Sequence, residues 1–120
     1  MNTIKSFKDL IAFKKERELA NTIYRITKKF PEEERFGLTS QIRRSAVSVG
    51  SNIVEGFARR GINDGLSFYN IANASLEELK FQLLLSADFE YITQDQFIEA
   101  NDIAEETGKV LRGWMKIQKT

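Results

Sequence analysis

Residues 41–60, QIRRSAVSVGSNIVEGFARR, decide the fold, because their spacing is typical of one helix carrying two stripes side by side. Apolar residues recur at steps of three and four, as on the buried face of a helix. They are Ile42, Ala46, Val49, Ile53 and Phe57. Polar residues recur one position earlier with the same spacing, and they are Gln41, Arg44, Ser48, Asn52, Glu55 and Arg59. One residue is about 100° of turn, so the polar stripe borders the core and reaches a neighbouring helix or a second subunit.

The remaining sequence continues the helical pattern. Ser6 with Asp9 and Thr93 with Gln96 have the spacing of helix N-terminal caps. No alternating strand pattern of useful length occurs. We predict helices at about Phe7–Lys29, Leu38–Arg59, Asp64–Phe89 and Gln94–Lys116. Short connections favour antiparallel neighbours, so the prediction is an all-α, antiparallel up-and-down four-helix bundle. A mid-helix glycine costs about 1 kcal/mol, so Gly50 indicates a bend in the second helix or a close approach there.

The composition limits the class of protein. A chain of 120 residues is expected to form a single domain, spanning residues 1–120. Without cysteine or histidine, the chain lacks disulfides, thiol chemistry, the commonest metal ligand and the commonest general base. We expect no cofactor and no bound metal. No apolar run is long enough for a membrane span, and the N-terminus lacks a signal-peptide core, so we expect a cytoplasmic protein that does not contact membranes.

Charge is unevenly distributed along the chain. Residues 1–30 carry eight basic and three acidic side chains, whereas residues 61–90 carry one and five. One interpretation is attraction between helices, within the bundle or across subunits. The other is a basic surface for a polyanion, because arginine binds phosphate through two parallel hydrogen bonds. The candidate nucleic-acid-binding residues are Lys14, Lys15, Arg17, Arg43, Arg44, Arg59 and Arg60.

The polar stripe predicts a hydrogen-bonded network between the second and third helices. Buried polar groups need partners, because an unsatisfied one costs about 1–3 kcal/mol. We expect Arg43 or Arg44 to pair with Glu78, and Asn52 and Gln82 to bond to side chains or helix ends. The predicted network comprises Gln41, Arg44, Ser48, Asn52, Glu55, Glu78 and Gln82. A structural network is favoured, and a ligand site remains the alternative.

The sequence contains no clear catalytic motif. Ser48 has no histidine base, and a helical serine beside an arginine is typical of packing. No phosphate-binding loop or dinucleotide-binding glycine pattern occurs. A carboxylate metal site using Glu55, Glu77 and Glu78 is conceivable, but it lacks the histidines of di-iron bundles. We therefore expect no enzymatic activity.

These residues give the chain a family resemblance. The matching segments are SFKDLIAF at Ser6–Phe13, FPEEERFGLTSQIRRSAVSVGSNIVEG at Phe30–Gly56 and IANASLEEL at Ile71–Leu79. In their order and spacing they resemble the small four-helix bundle proteins encoded by intervening sequences of bacterial 23S ribosomal RNA genes. The chain departs from the family pattern at Phe13, where tryptophan is frequent, and at Gly50, where proline is frequent.

The resemblance implies an antiparallel four-helix bundle without established enzymatic activity. It also implies similarity to a pentamer-forming accessory protein of diversity-generating retroelements, which forms a basic barrel and binds nucleic acid. The leading hypothesis is a homo-oligomer, a pentamer by resemblance, whose basic surface contacts RNA or DNA phosphates without strong sequence preference. One alternative is a protein-interaction scaffold that does not bind nucleic acid. The other is a hydrolase using carboxylates and a divalent ion.

Overall fold

The computed structural model describes residues 3–119 and confirms the all-α prediction. Within these residues there are four α-helices, three short 3₁₀ turns and no strand. The helices are α1 (Ile11–Ile26), α2 (Leu38–Ala58), α3 (Ile62–Asp88) and α4 (Gln94–Gln118). The 3₁₀ turns are Phe7–Asp9, Thr27–Lys29 and Glu32–Glu34. No helix in the described part of the chain has the length and apolar composition needed to cross a bilayer.

The helices form a four-helix bundle in which sequence neighbours are also spatial neighbours. α2 packs against α1 and α3, and α4 packs against the same two helices. α2 and α4 therefore lie on opposite corners of the bundle. The bundle is elongated, with extents of 45 × 26 × 19 Å. The connections at residues 27–37 and 89–93 share one end, and the connection at residues 59–61 lies at the other.

The core follows the predicted apolar spacing. On α2, Ile42, Ala46, Val49 and Ile53 are fully buried, and Phe57 packs beside them. On α3, the predicted seam is buried along its length. It consists of Tyr69, Ala72, Leu76, Leu79 and Leu83. Removing these side chains from water supplies the main driving force for the bundle.

Both predicted capping boxes are present, but one begins a different element. Thr93 and Gln96 cap α4 as expected. Ser6 and Asp9 cap only the short 3₁₀ turn, because Leu10 then adopts an extended conformation and α1 begins at Ile11. The first helix is therefore shorter than predicted. α3 begins earlier than predicted, at Ile62, with Gly61 as its N-cap.

Gly50 marks a close approach. α2 runs through Gly50 as α-helix, so this position does not end the helix. A Cβ built at Gly50 would collide with the carboxyl oxygen Oε2 of Glu16 on α1. The glycine therefore makes room for a buried side chain at the α1–α2 interface, whereas the sequence suggested a bend or an approaching backbone.

Candidate functional site

The polar stripe of α2 borders α3, but most of it is exposed. Gln41, Arg44 and Glu55 are exposed, and so is Glu78 on α3. Within a single chain, the bundle therefore leaves these four groups in contact with solvent. α2 and α3 cross closely at Gly56, where a Cβ would lie 2.5 Å from the ring of Tyr69.

The shorter polar residues do form hydrogen bonds at this seam. The hydroxyls of Ser48 and Ser75 lie 2.9 Å apart. The amide of Asn52 donates to the backbone oxygen of Ser48 at 2.9 Å and to its hydroxyl at 3.2 Å. Gln82 is 8% exposed, and its side-chain oxygen has no hydrogen-bond partner within residues 3–119. The bond predicted for Asn52 is thus present, and the one predicted for Gln82 is absent from the described structure.

Arg43 contacts α1 instead of Glu78. Its Nε donates to the hydroxyl of Thr27 at 2.9 Å, and its guanidinium lies 4.6 Å from the ring centroid of Tyr24. Arg43 projects from the α1 side of α2, whereas Glu78 belongs to α3. The expected pair between Glu78 and Arg43 or Arg44 is therefore not formed within this chain. In the part of the chain that the structure describes, neither Arg44 nor Glu78 has an ion pair.

An open groove runs along the outer face of α2 and the turn before it. We call it the arginine groove, and it is lined by Tyr24, Arg35, Phe36, Arg43, Arg44 and Val47. Phe36 is 87% exposed and Val47 is 49% exposed. Gln41, Ser48 and Glu78 line the same groove. The structure therefore brings four members of the predicted polar network together on one surface, beside exposed apolar side chains.

The seven candidate nucleic-acid-binding residues do not form one compact patch. Arg43 and Arg59 lie sixteen residues apart on or just beyond α2, about 24 Å at 1.5 Å per residue. Arg17 precedes Tyr24 by two helical turns and lies on the same face of α1. The remaining members of the set are Lys14, Lys15, Arg44 and Arg60.

Some of these cations are already partnered. Lys15 lies 3.2 Å from Glu106 on α4, and Arg59 lies 2.9 Å from Glu55. Arg59 also packs over the ring of Phe68, 4.5 Å from its centroid. By contrast, the guanidinium groups of Arg17, Arg44 and Arg60 are exposed, and within residues 3–119 none has an acidic partner. Lys14 is likewise exposed and has no ion pair in the described residues, so four of the seven candidates are exposed cations without an ion pair.

Charge attraction between helices is visible within the bundle. Arg25 on α1 lies 2.8 Å from Glu99 on α4. Lys80 on α3 lies 2.9 Å from Glu77 and 3.0 Å from Glu105 on α4. Opposite charges on different helices are thus partly paired inside one chain.

Sequence reasoning missed a buried carboxyl group, that of Glu16. Glu16 is 4% exposed, and its Oε1 has no hydrogen-bond partner in the described structure. Burial raises the pKa of this carboxyl from 4.5 to about 8, against a smaller lowering by the Gly50 backbone. Its position was detectable, because Ala12, Glu16, Leu19 and Ile23 follow the spacing of a buried helix face.

The carboxylates proposed for a metal site are dispersed. Glu55 pairs with Arg59, and Glu77 pairs with Lys80. The described residues contain no group of three or more acidic side chains arranged to hold a metal ion.

Comparison with known proteins places the chain in a family. The family model described as 23S rRNA-intervening sequence protein matches residues 8–113. A solved structure from Bacteroides thetaiotaomicron, described as a protein with unknown function from the S23 ribosomal protein family, is 30% identical in sequence. The match covers 88% of this chain and 99% of that one, with a TM-score of 0.79. No curated protein matches the chain. The match over most of its length shows that the chain belongs to the 23S rRNA-intervening sequence protein family.

Proposed function

We propose that this chain is a non-enzymatic, cytoplasmic helical bundle that assembles into a homo-oligomer and contacts RNA or DNA through its basic surface. A pentamer is the expected assembly, by resemblance to the retroelement accessory protein. The outer face of α2 supports assembly. Exposed Phe36 and Val47 lie there beside Arg44, which has no ion pair in residues 3–119. Apolar side chains grouped in this way are typical of protein interaction surfaces.

The nucleic-acid part of the proposal rests on the free arginines. Arg17, Arg44 and Arg60 are exposed and lack acidic partners in the described chain. A phosphate backbone offers such arginines a charge-assisted, bidentate partner. Binding of this kind releases counterions, so affinity must fall as salt increases. The protein-interaction scaffold is the second candidate, and the ion pairs that already engage Lys15 and Arg25 favour it.

Two measurements test the proposal. Light scattering should give a mass several times the 13.8 kDa of one chain, five times for a pentamer. A monodisperse monomer would remove the assembly claim. Filter binding with a structured RNA should be repeated at several salt concentrations. The logarithm of the association constant should fall linearly with the logarithm of the salt concentration. Absence of binding at low salt would remove the nucleic-acid claim.

Single-arginine variants test which arginines contact the phosphates. Arg17→Ala, Arg44→Ala and Arg60→Ala should each reduce the salt slope by about 0.7–0.9 if the residue contacts one phosphate. Arg25→Ala is the matched control, because Arg25 already pairs with Glu99. If all four variants lower the slope equally, these three arginines do not form the binding surface.

A further inference from the structure

A second groove, on the α3–α4 side of the bundle, complements the arginine groove. We call it the acidic groove, and it is lined by Glu77, Lys80, Phe81, Leu84, Phe97 and Glu105. Phe81 and Leu84 are more than half exposed. Two carboxylates share one lysine, which leaves the lining negative. The arginine groove has three arginines, and its acidic lining residue is Glu78.

The two grooves cannot meet within one chain. The arginine groove lies on the outer face of α2, and the acidic groove lies between α3 and α4. Glu78 and Glu77 are neighbours on α3, separated by about 100° of turn. Glu78 lines the arginine groove and Glu77 lines the acidic groove, so the two grooves face different directions. Each groove combines exposed apolar side chains with a net charge, positive in the arginine groove and negative in the acidic groove. The chain therefore carries both halves of a complementary contact.

The two grooves also lie at the same height along the bundle. The hydrogen bond between Ser48 and Ser75 fixes the relative height of α2 and α3. Arg44 lies four residues from Ser48 toward the shared end of the bundle, about 6 Å at 1.5 Å per residue. Phe81 lies six residues from Ser75 toward the same end, about 9 Å. A neighbour that joins the two grooves is therefore related mainly by rotation, with little displacement along the bundle.

We propose that the occupant of each groove is a second copy of this chain, with the arginine groove of one copy docked on the acidic groove of the next. The contact is heterologous, because each copy uses two different surfaces. Heterologous contacts form closed rings when the rotation closes and open filaments when it does not. Equal groove heights favour the ring. This inference rests on the proposed self-assembly and assigns the surfaces that would perform it. Arg44 is then covered by the next copy, and Arg17 and Arg60, which line neither groove, remain for the nucleic acid.

Two variants disable one groove each. Phe36→Asp places a carboxylate in the arginine groove, where it would repel the glutamates of the next copy, and Phe81→Lys places a cation in the acidic groove, where it would repel the arginines. Both side chains are exposed, 87% and 59%, so neither change disrupts the core. Ile62→Asp is the control, since Ile62 is 59% exposed and lies outside both grooves at the other end of α3. Thermal melting by circular dichroism verifies that all three variants remain folded.

The mass of each sample, measured by light scattering, tests whether the two grooves form the contact between copies. Each groove variant alone should be a monomer, and the Ile62→Asp control should keep the wild-type mass. An equimolar mixture of the two groove variants should form a 1:1 dimer and grow no further, because only one intact pair of grooves remains.

The other outcomes overturn the inference in distinguishable ways. A monomeric wild type contradicts the proposed assembly itself. If the wild type is oligomeric and the two groove variants keep its mass, self-assembly stands but uses other surfaces. If the variants are monomers and their mixture stays monomeric, the heterologous arrangement is wrong. If Phe36→Asp keeps the wild-type mass and loses RNA binding, the arginine groove contacts nucleic acid instead of a second copy.

Discussion

Replacing Glu16 by glutamine should stabilise the protein at neutral pH, although it removes a native side chain from the α1–α2 interface. The carboxyl has a pKa of about 8 in the folded chain, compared with 4.5 in an exposed reference state. At pH 7 the folded chain therefore keeps this group largely neutral, whereas the unfolded chain ionises it. Ionisation favours the unfolded state, so Glu16 opposes folding at this pH.

The size of the effect follows from the two pKa values. Below about pH 4.5 the carboxyl of Glu16 is protonated in both the folded and the unfolded chain, so its ionisation does not reduce stability. Stability is then lost as the pH rises from about 4.5 to about 8. Each pH unit in this window lowers the free energy of unfolding by about 1.4 kcal/mol, so the total loss at pH 7 is about 3 kcal/mol. Glu16→Gln preserves the shape of the side chain and removes the titration. We therefore expect it to raise the free energy of unfolding by up to about 3 kcal/mol at pH 7.

Urea unfolding at fixed protein concentration, repeated between pH 4.5 and pH 8.5, measures this difference. The difference in the free energy of unfolding between Glu16→Gln and the wild type should increase as the pH rises. Glu18→Gln is the matched control, since it removes an exposed carboxylate from the same helix. It should follow the wild-type pH dependence. If Glu16→Gln also parallels the wild type across this range, the argument from a buried neutral carboxyl is wrong.

Gly50→Ala tests the same contact from the other helix. Alone it should destabilise, because the new Cβ meets the Glu16 carboxyl. In a Glu16→Ala background, which removes that carboxyl, the same change should stabilise by about 1 kcal/mol through helix propensity. A double-mutant cycle in urea measures the coupling. Equal effects of Gly50→Ala in both backgrounds would contradict the proposed role of the glycine.

The remaining predictions concern local packing and capping. Gly56→Ala should destabilise by about 1–3 kcal/mol through overpacking, because its Cβ would lie 2.5 Å from Tyr69. Gly113→Ala is the contrasting change in α4, where a Cβ meets nothing within 4 Å, and it should stabilise by about 1 kcal/mol. Thr93→Ala removes the hydroxyl that accepts from the Gln96 amide at 3.1 Å, and should cost about 1 kcal/mol. Chemical unfolding measures all three. The packing argument is wrong if Gly56→Ala and Gly113→Ala change the stability in the same direction. The capping argument is wrong if Thr93→Ala leaves the stability unchanged.

Much of the fold was predictable because it depends on local spacing. The apolar stripe of α2 and the seam of α3 required only helical periodicity. The capping box of α4 involves two residues three positions apart, Thr93 and Gln96. Each of these features is specified within one or two helical turns, so a single sequence is sufficient to identify it.

The side-chain partners were less predictable because they depend on how the helices are rotated. Arg43 and Arg44 are adjacent in sequence, yet only Arg43 reaches the end of α1, where it packs on Tyr24 and bonds to Thr27 of the following 3₁₀ turn. A rotation of about 100° separates the two positions. The burial of Glu16 likewise depends on the missing Cβ of Gly50, across a helix interface. No pattern within one helix specifies such a contact.

The close crossing of α2 and α3 has a consequence for the order in which the protein folds. The two helices are consecutive and are joined by only residues 59–61, so little chain entropy is lost when they associate. Their interface includes the Ser48–Ser75 hydrogen bond and the packing of Gly56 on Tyr69. We expect this hairpin to form early and the outer helices to dock on it later. Native-state amide exchange should then be slowest in the middle of α2 and α3 and faster in α1.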